Sequence, residues 1–366
     1  MSHRDRPDQC PGALKLHLAD DGAIGRLRFP GGLLSPADFT MLADLADSFG
    51  DGDLHLTSRG NVQIRGIRDT VGFTESVDLP YPEHDRMRNI LKSPLTGRVG
   101  GRTDVTSLTD DVDEALCSQP QLADLPGRTL FAIDDGRGDV LSEAPDLGLL
   151  AVDHDTFDLI VAGRTTGVTA SRANAPELLT DAALTWSRIR GTAWRIAESG
   201  LAEEVVGGWE RREAASAEGD ARRIGWIEQT DGLVSLGAGL RFGVLPAQMA
   251  RIIAVTEVPV HVTPWYSLVF HDFDEAVAEQ VVRVLAPNGF EFDERSPWLR
   301  VTACTGMPGC AKALSDVRAD AAQGIASGML PDARIHFSGC SRRCGAPKSA
   351  HVEYVATGDG EYDVSP

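Results

Sequence analysis

The chain has 366 residues, of which 42% are hydrophobic and 24% are charged, a balance typical of a globular protein with about two or three domains. The formal net charge of −19 argues against a nucleic-acid partner, because such binding depends on Lys and Arg side chains that neutralise phosphates. No apolar run approaches the roughly eighteen residues of a membrane helix, so no membrane partner is expected. The polar start MSHRDRPDQCPG lacks the apolar segment of a signal peptide, which predicts a cytoplasmic protein.

The first predicted unit, residues 12–80, contains a strand, a helix and a second strand region. A strand follows Asp21, and apolar residues then recur at helical spacing from Phe39 to Ala46. The segment LHLTSRGNVQIRGI, 54–67, alternates apolar and polar residues, the pattern of half-buried strands.

The next unit, residues 81–208, is predicted to be mixed α/β structure. The strand candidates are 129–133, 147–152 and 157–163. A helix is predicted over about 175–199. The polar stretch 209–223 that follows is predicted to be a linker or an exposed helix.

Basic residues concentrate in three segments that contain no carboxylate. They are Arg59, Arg65 and Arg68 in 59–68; Arg86, Arg88, Lys92, Arg98 and Arg102 in 86–102; and Arg334, Arg342, Arg343 and Lys348 in 334–348. Such segments are either solvated basic faces or parts of a pocket for a polyanion, in which guanidinium groups bind carboxylates bidentately. Their segregation in so acidic a chain favours the pocket.

A second half-domain, residues 222–290, repeats the pattern of the first. The segment VHVTPWYSLVFHDF, 260–273, shares with 54–67 both the alternation and the opening hydrophobic-His-hydrophobic-Thr. A unit that occurs twice indicates gene duplication and a pseudo-twofold architecture. Trp265 stands where Arg59 stands in the first copy, so the duplicated pocket is expected to have lost its charge.

The most specific feature lies in the last predicted unit, residues 295–366. Cys304 and Cys310 in ACTGMPGC, and Cys340 and Cys344 in SGCSRRCG, form two pairs. Their spacing is expected of four thiolates around one [4Fe-4S] cluster. Structural zinc, whose cysteine pairs usually lie about two to four residues apart, and structural or incidental cysteines are the alternatives. Disulfides are not expected in a cytoplasmic protein.

These residues together resemble the sulfite and nitrite reductase superfamily over nearly the whole chain. HLTSRGNVQIRGI is similar to its first half-domain, RMRNILKSPLTG to its tetrapyrrole-contacting segment, and the cysteine spacing to its [4Fe-4S] motif. The resemblance implies an α+β fold of duplicated sulfite/nitrite reductase-like architecture. Two ferredoxin-like half-domains and two α/β segments would surround a pseudo-twofold axis.

Within the superfamily, DGRGD, DGLVSLGAGLRFG, CTGMPGCAKALSDVRADA and HFSGCSRRCGAP are most similar to the branch that inserts oxygen into a precorrin during aerobic cobalamin biosynthesis. This resemblance implies an oxidoreductase, a monooxygenase that converts precorrin-3A to precorrin-3B with O2 and NADH-derived electrons. A sirohaem-dependent sulfite or nitrite reductase is the alternative. A non-catalytic, cluster-bearing tetrapyrrole carrier is an alternative of another class.

The resemblance also implies roles for individual residues. The cluster ligands would be Cys304, Cys310, Cys340 and Cys344. Of these, Cys344 would face the active cavity. Arg59, Arg88 and Arg128 would bind the carboxylates of the anionic tetrapyrrole. Sulfite reductases hold their substrate with two lysines, whereas the similar stretch LPGRTLFA offers only Arg128 and then Leu130, which argues against sulfite reduction.

Oxygen activation normally needs a metal or flavin to manage electron delivery, so a mononuclear non-haem iron beside the cluster is a further expectation. Its candidate ligands are His55, His84, His336 and His351, although their spacing reveals no two-His-one-carboxylate constellation. Sirohaem is expected only under the reductase alternative.

A nicotinamide site is not expected. Gly237-Ala238-Gly239 is interpreted as a turn, because the third glycine of the dinucleotide fingerprint is misplaced and no acidic residue lies near the expected distance. Electrons are therefore expected from a separate donor, such as a ferredoxin or a reductase. Cys10 and Cys117 stand alone and are expected to be ordinary side chains.

Overall fold

The computed structural model describes residues 8–19, 21–217, 219, 224–347 and 349–366. The predicted start of the second half-domain at 222, and Lys348 of the third basic segment, lie outside the described residues. Four β-sheets with helices packed against them form the described part, which confirms the predicted class of fold. No helix in this part is long and apolar enough to cross a membrane.

The first half-domain has a central hairpin and a helix that covers it. Its elements are β1 (His17–Ala19), β2 (Gly22–Leu27), β3 (Leu33–Leu34), α1 (Pro36–Phe49), β4 (Asp53–Leu56), β5 (Val62–Ile67) and α2 (Thr70–Glu75). Ser35 begins α1 with a capping box shared with Asp38. The buried face of α1 is the predicted one, from Phe39 to Ala46. The strands predicted over 54–67 are β4 and β5, which pair antiparallel.

The following segment folds into a five-stranded sheet with helices beside it. Its elements are β6 (Ile90–Lys92), α3 (Thr106–Cys117), β7 (Phe131–Asp134), β8 (Leu147–Ala151), β9 (Thr156–Val161), β10 (Arg164–Ser171), α4 (Ala175–Ile189), α5 (Ile196–Ser199) and α6 (Ala202–Val206). Strands β6, β7 and β8 run parallel. The helix predicted over about 175–199 is interrupted where Gly191 adopts a φ of 56°. The interruption forms a turn that carries Trp194 and Arg195.

The second half-domain repeats the strand and helix order of the first. Its elements are β11 (Gly225–Glu228), β12 (Val234–Leu240), β13 (Val244–Pro246), α7 (Ala247–Ala254), β14 (Val260–Val262), β15 (Ser267–Phe273), α8 (Glu275–Leu285) and β16 (Phe290–Glu291). The interpretation of Gly237-Ala238-Gly239 as a turn is wrong, because all three lie within the buried strand β12. A Cβ atom on Gly239 would lie 2.1 Å from Leu299 Cδ2, so glycine lets the C-terminal part of the chain pack against this strand.

The two half-domains complete each other's sheets. Strand β13 pairs with β4 of the first half-domain, with Val244 opposite His55. Strand β3 pairs with β14 of the second half-domain, with Leu33 opposite His261. One hydrophobic core runs through both half-domains. The exchange is reciprocal, as a pseudo-twofold axis requires.

The C-terminal part forms a small separate sheet. Its elements are β17 (Val301–Ala303), α9 (Val317–Ala326), β18 (Ile335–Ser338), β19 (Val352–Gly358) and β20 (Glu361–Ser365). Strands β17, β18 and β19 are parallel neighbours, and β20 pairs antiparallel to β19. The loops after β17 and β18 therefore leave the sheet at the same edge, and these loops carry the cysteine pairs.

Buried polar side chains form a hydrogen-bonded chain across the second half-domain sheet. Gln229 Nε2 donates to Ser235 Oγ at 2.7 Å, and Ser235 Oγ lies 3.0 Å from His271 Nδ1. His271 Nε2 in turn lies 3.0 Å from His261 Nδ1. Burial lowers the pKa of His271 to about 3 and places that of His261 well below its ordinary value. Both imidazoles are therefore neutral in the folded protein at neutral pH.

Acidification is expected to destabilise the fold through these two rings. The unfolded chain protonates each imidazole near pH 6.5, whereas the folded chain does not, so the free energy of unfolding falls by about 1.4 kcal/mol per pH unit for each ring below about pH 6.5. Urea unfolding at several pH values between about 5 and 7.5 measures this slope. His271→Gln removes one of the two rings and should lower this slope by about 1.4 kcal/mol per pH unit. His154→Gln, at a side chain that is 90% exposed, should leave the slope unchanged. Equal slopes in the His271→Gln variant and the parent would contradict the expectation.

Candidate functional site

The two cysteine loops contact each other at one edge of the C-terminal sheet. Cys304 directly follows β17, and Cys340 follows β18 after Gly339. The Gly339 amide donates to Cys304 Sγ at 3.1 Å. The Leu314 amide donates to the Gly339 carbonyl oxygen at 2.8 Å. These bonds hold the first loop against the start of the second.

The thiols on these loops influence one another electrostatically. No cysteine forms a disulfide. Burial raises the pKa of Cys304, and the neighbouring thiols of Cys344 and Cys310 add to the rise, while the backbone amides of Gly339 and Gly306 oppose it. Three of the four predicted ligands are thus within electrostatic range of each other.

The side chains are not gathered around one point. Within the described ranges, no group of three or more Cys, His, Asp or Glu residues is placed to hold a metal ion. The donor set still fits an iron–sulfur cluster by its chemistry, because four cysteines on two touching loops are the usual ligands and N–H···S hydrogen bonds tune such clusters. The Gly339 to Cys304 bond is one of this kind.

Arg59 and Arg128 are brought together from distant parts of the chain. Arg59 lies on the tight turn between β4 and β5, where Gly60 adopts a φ of 62° and the Asn61 amide donates to Thr57 Oγ1 at 3.2 Å. Arg59 Nη2 lies 3.5 Å from the Arg128 carbonyl oxygen. The buried Nε of Arg59 has no hydrogen-bond partner among the residues that the structure describes.

Asn89 fixes the two parts against each other. Its Oδ1 accepts hydrogen bonds from Arg28 Nε at 2.9 Å and from Asn61 Nδ2 at 3.0 Å. Its Nδ2 donates to the carbonyl oxygens of Gly127 and Thr129, both at 3.1 Å. Asn89 is fully buried, so the turn of Arg59 and the loop of Arg128 are held rigidly. Sequence reasoning missed Asn89, because a single amide inside RMRNILK gives no pattern.

Positive charge is in excess around Arg59. Burial lowers the pKa of Arg59 to about 10, and the guanidinium groups of Arg26, Arg195 and Arg128 lower it as well, with Cys10 acting in the opposite direction. We call Arg26, Arg59 and Arg128 the arginine cluster. A carboxylate ligand would relieve this excess through charge-assisted hydrogen bonds.

Arg26, Cys10 and Trp194 belong to this region and were not predicted. Arg26 donates to Cys10 Sγ and to Gln63 Oε1, both at 3.1 Å. The exposed Arg128 guanidinium lies 5.0 Å from the centre of the Trp194 ring, a cation–π contact that restrains it. The alternation of the strands could have indicated Arg26, because Arg26 lies opposite Gln63 on the neighbouring strand of the first half-domain.

Arg88, the third predicted arginine, is already occupied. Its Nε and Nη2 donate to the two carboxylate oxygens of Asp113 at 2.9 and 2.6 Å. The guanidinium also lies 5.3 Å from the centre of the Tyr81 ring, and Arg88 is only 7% exposed. A direct role of Arg88 in binding a ligand stays a prediction, and the geometry favours a structural role.

The segment 86–102 is free of acids in sequence but not in space. Arg86 pairs with Asp8 at 2.8 Å, and Arg98 pairs with Asp272 at 2.7 Å. These carboxylates come from other parts of the chain. The positive charge of this segment is therefore largely neutralised, unlike that of the arginine cluster.

Trp265, which replaces Arg59 in the second repeat, joins two parts of the molecule. Its Nε1 donates to Glu143 Oε1 at 2.6 Å, and Glu143 lies in the loop between β7 and β8. The position thus serves packing between units instead of presenting a charge.

The candidate iron ligands do not assemble into one site. His55 bonds to a carboxylate and His84 to a backbone carbonyl, each at 3.0 Å. His336 and His351 are neighbours, with ring centres 6.2 Å apart, but no third ligand joins them in the described part of the chain. A mononuclear iron stays a prediction.

Comparisons with known proteins identify relatives over almost the whole chain. Residues 18–71 match the nitrite/sulfite reductase ferredoxin-like half domain. The chain is 23% identical to precorrin-3B synthase of a Sinorhizobium species, over 97% of this chain and 82% of that protein. It is 24% identical to sulfite reductase (ferredoxin) of Mycobacterium tuberculosis, over 90% and 69% of the two chains.

A solved structure extends the likeness to the fold. The Mycobacterium tuberculosis NirA protein superposes with a TM-score of 0.71 at 19% identity, over 99% of this chain and 77% of that one. The duplicated, mixed α/β fold and the resemblance to the sulfite and nitrite reductase superfamily are confirmed. The relatives are oxidoreductases or related enzymes, which supports an enzyme.

Proposed function

We propose that this chain, which has the fold of the sulfite and nitrite reductases, is a precorrin-3B synthase. It would convert precorrin-3A to precorrin-3B by O2-dependent hydroxylation and γ-lactone formation. The observation that carries the proposal is the arginine cluster, whose central residue Arg59 is partly buried among like charges and has a buried Nε without a hydrogen-bond partner among the described residues. A precorrin bears many acetate and propionate arms, and guanidinium groups bind such carboxylates strongly and with a defined orientation.

The arginine cluster would orient the macrocycle through its carboxylates. Asn89 and the turn after β4 hold the backbone that carries Arg59 in place before the ligand arrives, so little loop ordering is needed on binding. Arg128 lies at the exposed side of the cluster and is supported by Trp194. Binding of the carboxylate arms at these two arginines would fix one edge of the macrocycle.

The cysteine loops would hold the redox group. Cys304, Cys310, Cys340 and Cys344 are the proposed ligands of a [4Fe-4S] cluster. When bound, the cluster would supply electrons for the reduction of O2. The protein's own contribution is the pair of touching loops and the amide of Gly339, which donates to Cys304 Sγ.

The structure gives a reason to rank sulfite reduction second. Two residues after Arg128 in the LPGRTLFA stretch lies Leu130, which is 3% exposed and packs in a small apolar cluster with Leu91 and Ala132. Its side chain takes part in the core, so the second cation of a sulfite site is missing there. A sirohaem-dependent reductase predicts haem absorption in the purified protein, whereas a precorrin-3B synthase predicts only the broad absorption of iron–sulfur.

A separate acidic electron donor is part of the proposal. Lys312, Arg342 and Arg343 are exposed on the cysteine loops, although Arg343 is paired with Glu353 at 2.8 Å. In a chain with a net charge of −19, such a basic surface favours the approach of an acidic protein such as a ferredoxin. Oxidation of NADH at the full turnover rate by the purified chain alone would contradict this part of the proposal.

The proposed reaction is tested by single turnover with labelled oxygen. Cluster-loaded protein mixed with precorrin-3A, ¹⁸O₂ and an excess of a reduced ferredoxin, which supplies the two electrons needed per turnover, is expected to give a product that is heavier by one labelled oxygen atom, as measured by mass spectrometry, while the second oxygen atom leaves as water. The same protein without O2 is the control and should return the substrate unchanged. Substrate that binds but is unchanged under O2 would instead support a carrier, and haem absorption with sulfite consumption would support the reductase.

A further inference from the structure

His336 connects the two cysteine loops beneath Cys344. It lies in β18 and is 1% exposed. His336 Nε2 is 3.2 Å from the Cys344 carbonyl oxygen, and His336 Nδ1 is 2.9 Å from Thr302 Oγ1. Thr302 lies in β17, the strand that leads into Cys304. One buried imidazole therefore bridges the strand before the first cysteine pair and the last cysteine of the second pair.

The partners of His336 determine which ring nitrogen carries the proton. A carbonyl oxygen can only accept, so Nε2 is protonated and donates to Cys344. In a neutral ring Nδ1 then accepts from the Thr302 hydroxyl, whose oxygen also lies 3.1 Å from the Ile335 carbonyl oxygen. Burial lowers the pKa of His336 to about 4, which agrees with a neutral ring. Both nitrogens are thus engaged, and this argues against His336 as an iron ligand despite its neighbour His351.

Among the described residues, the turn that carries Cys344 is also held by an ion pair between Arg343 and Glu353 at 2.8 Å and by the Ala346 amide, which donates to the Arg343 carbonyl oxygen at 3.3 Å. Arg343 has a left-handed φ of 51° and Gly345 a φ of 83°, and the Arg343 amide donates to the Cys340 carbonyl oxygen at 3.2 Å. A Cβ atom on Gly345 would lie 3.7 Å from His336 Cε1. The imidazole therefore packs directly against the turn whose carbonyl group it binds.

We propose that His336, oriented by Thr302, is a positioning residue that sets the direction of the Cys344 side chain. The bond to the carbonyl oxygen fixes the Cys344 peptide, and the peptide orientation determines where its Cα–Cβ bond points. The inference rests on the proposed function in one respect, namely that Cys344 is the ligand nearest the substrate. Hydrogen-bond partners that orient metal ligands typically change metal affinity or activity by about 10- to 100-fold when removed.

Thiol reactivity tests the proposal without any cluster. Cluster-free protein is alkylated with iodoacetamide under reducing, anaerobic conditions, and the rates at Cys344 and Cys310 are followed by peptide mass spectrometry. His336→Leu keeps apolar bulk but loses both hydrogen bonds. The alkylation rate at Cys344 should change by about fivefold, as expected for loss of the one bond to the Cys344 carbonyl oxygen. The Cys310 rate should stay as in the parent. His336→Gln, which retains an N–H group near the Nε2 position, should restore the parental rate.

The cluster-loaded protein provides the second readout. His336→Leu is expected to lose iron to a chelator about 10- to 100-fold faster than the parent and to show altered g values in the electron paramagnetic resonance spectrum of the reduced cluster. His336→Gln should lie close to the parent in both. A parental alkylation rate and spectrum in His336→Leu, or equal impairment in the two variants, would overturn the positioning role. A parent that binds no iron would refute the cluster, while the alkylation rates would still decide the role of His336.

Discussion

Replacing Cys340 with serine is expected to remove iron, sulfide and turnover together. A serine hydroxyl does not ionise at neutral pH and cannot replace a thiolate ligand. The loop of Cys340 is also the one whose Gly339 amide donates to Cys304 Sγ, so loss of one ligand affects both loops. Iron and sulfide per chain, the visible absorption spectrum and oxygen insertion into the substrate are the measurements. Turnover should fall to below about one hundredth of the parental rate.

Cys117→Ser is the matched control for that experiment. Cys117 is buried at the end of α3, a helix that is not part of the cysteine loops. Its thiol lies 3.8 Å from Asp113 Oδ1. This variant should keep the parental iron and sulfide content. An unchanged spectrum in Cys340→Ser would refute the four-cysteine cluster, and stoichiometric zinc in place of iron in the parent would establish the zinc alternative.

Replacing Arg88 with alanine is expected to destabilise the fold by about 3 to 5 kcal/mol, because removal of one partner leaves the other charge buried and unpaired. The stranded group would be Asp113, which is 8% exposed and receives two hydrogen bonds from Arg88. Urea unfolding monitored by circular dichroism measures the loss. The double variant Arg88→Met with Asp113→Leu removes both charges and should recover most of the lost stability.

Arg59→Ala should have the opposite effect: it should leave the stability of the fold nearly unchanged and weaken binding of the tetrapyrrole. Arg59 has no carboxylate partner in the described part of the chain, and its removal relieves repulsion with Arg26 and Arg128. The free energy of unfolding should therefore change by less than about 1 kcal/mol, while affinity for the tetrapyrrole should fall by about tenfold or more. A parental stability combined with weak substrate binding in Arg88→Ala would instead show that Arg88 binds the substrate, as the sequence predicts.

The elements with strong periodicity could be predicted, and the shortest ones could not. The hairpins β4–β5 and β14–β15 and the helix α1 lie where alternation and helical spacing placed them. Strands β14 and β15 are nevertheless buried on both faces and not half-buried as their alternation predicts. Strands β3 and β13 have two and three residues, too few for any periodic signal. The exchange of β3 and β13 involves both repeats, so the sequence of one repeat alone does not indicate it.

Some features of the candidate site could likewise be predicted from the sequence, and others could not. The cysteine pairs could be found from spacing alone, because the ligands of each loop are local in sequence. The charges could not, since carboxylates such as Asp113 and Asp272 reach Arg88 and Arg98 from other parts of the fold. Segments without acidic residues therefore predicted more unpaired positive charge than the folded molecule has. In the described part of the chain, the charged neighbours of Arg59 are mainly other cations.

The reciprocal exchange of β3 and β13 makes this chain resemble an intertwined dimer whose two subunits have been fused. Neither repeat can complete its own sheet, because each lends a strand to the other. A single-copy ancestor would have needed a second molecule to bury the same edges, and fusion converted that association into an intramolecular one. Once the two copies were joined, they no longer had to be identical. One copy has Arg59, the proposed carboxylate-binding residue, where the other has Trp265, whose indole joins the second repeat to the loop after β7.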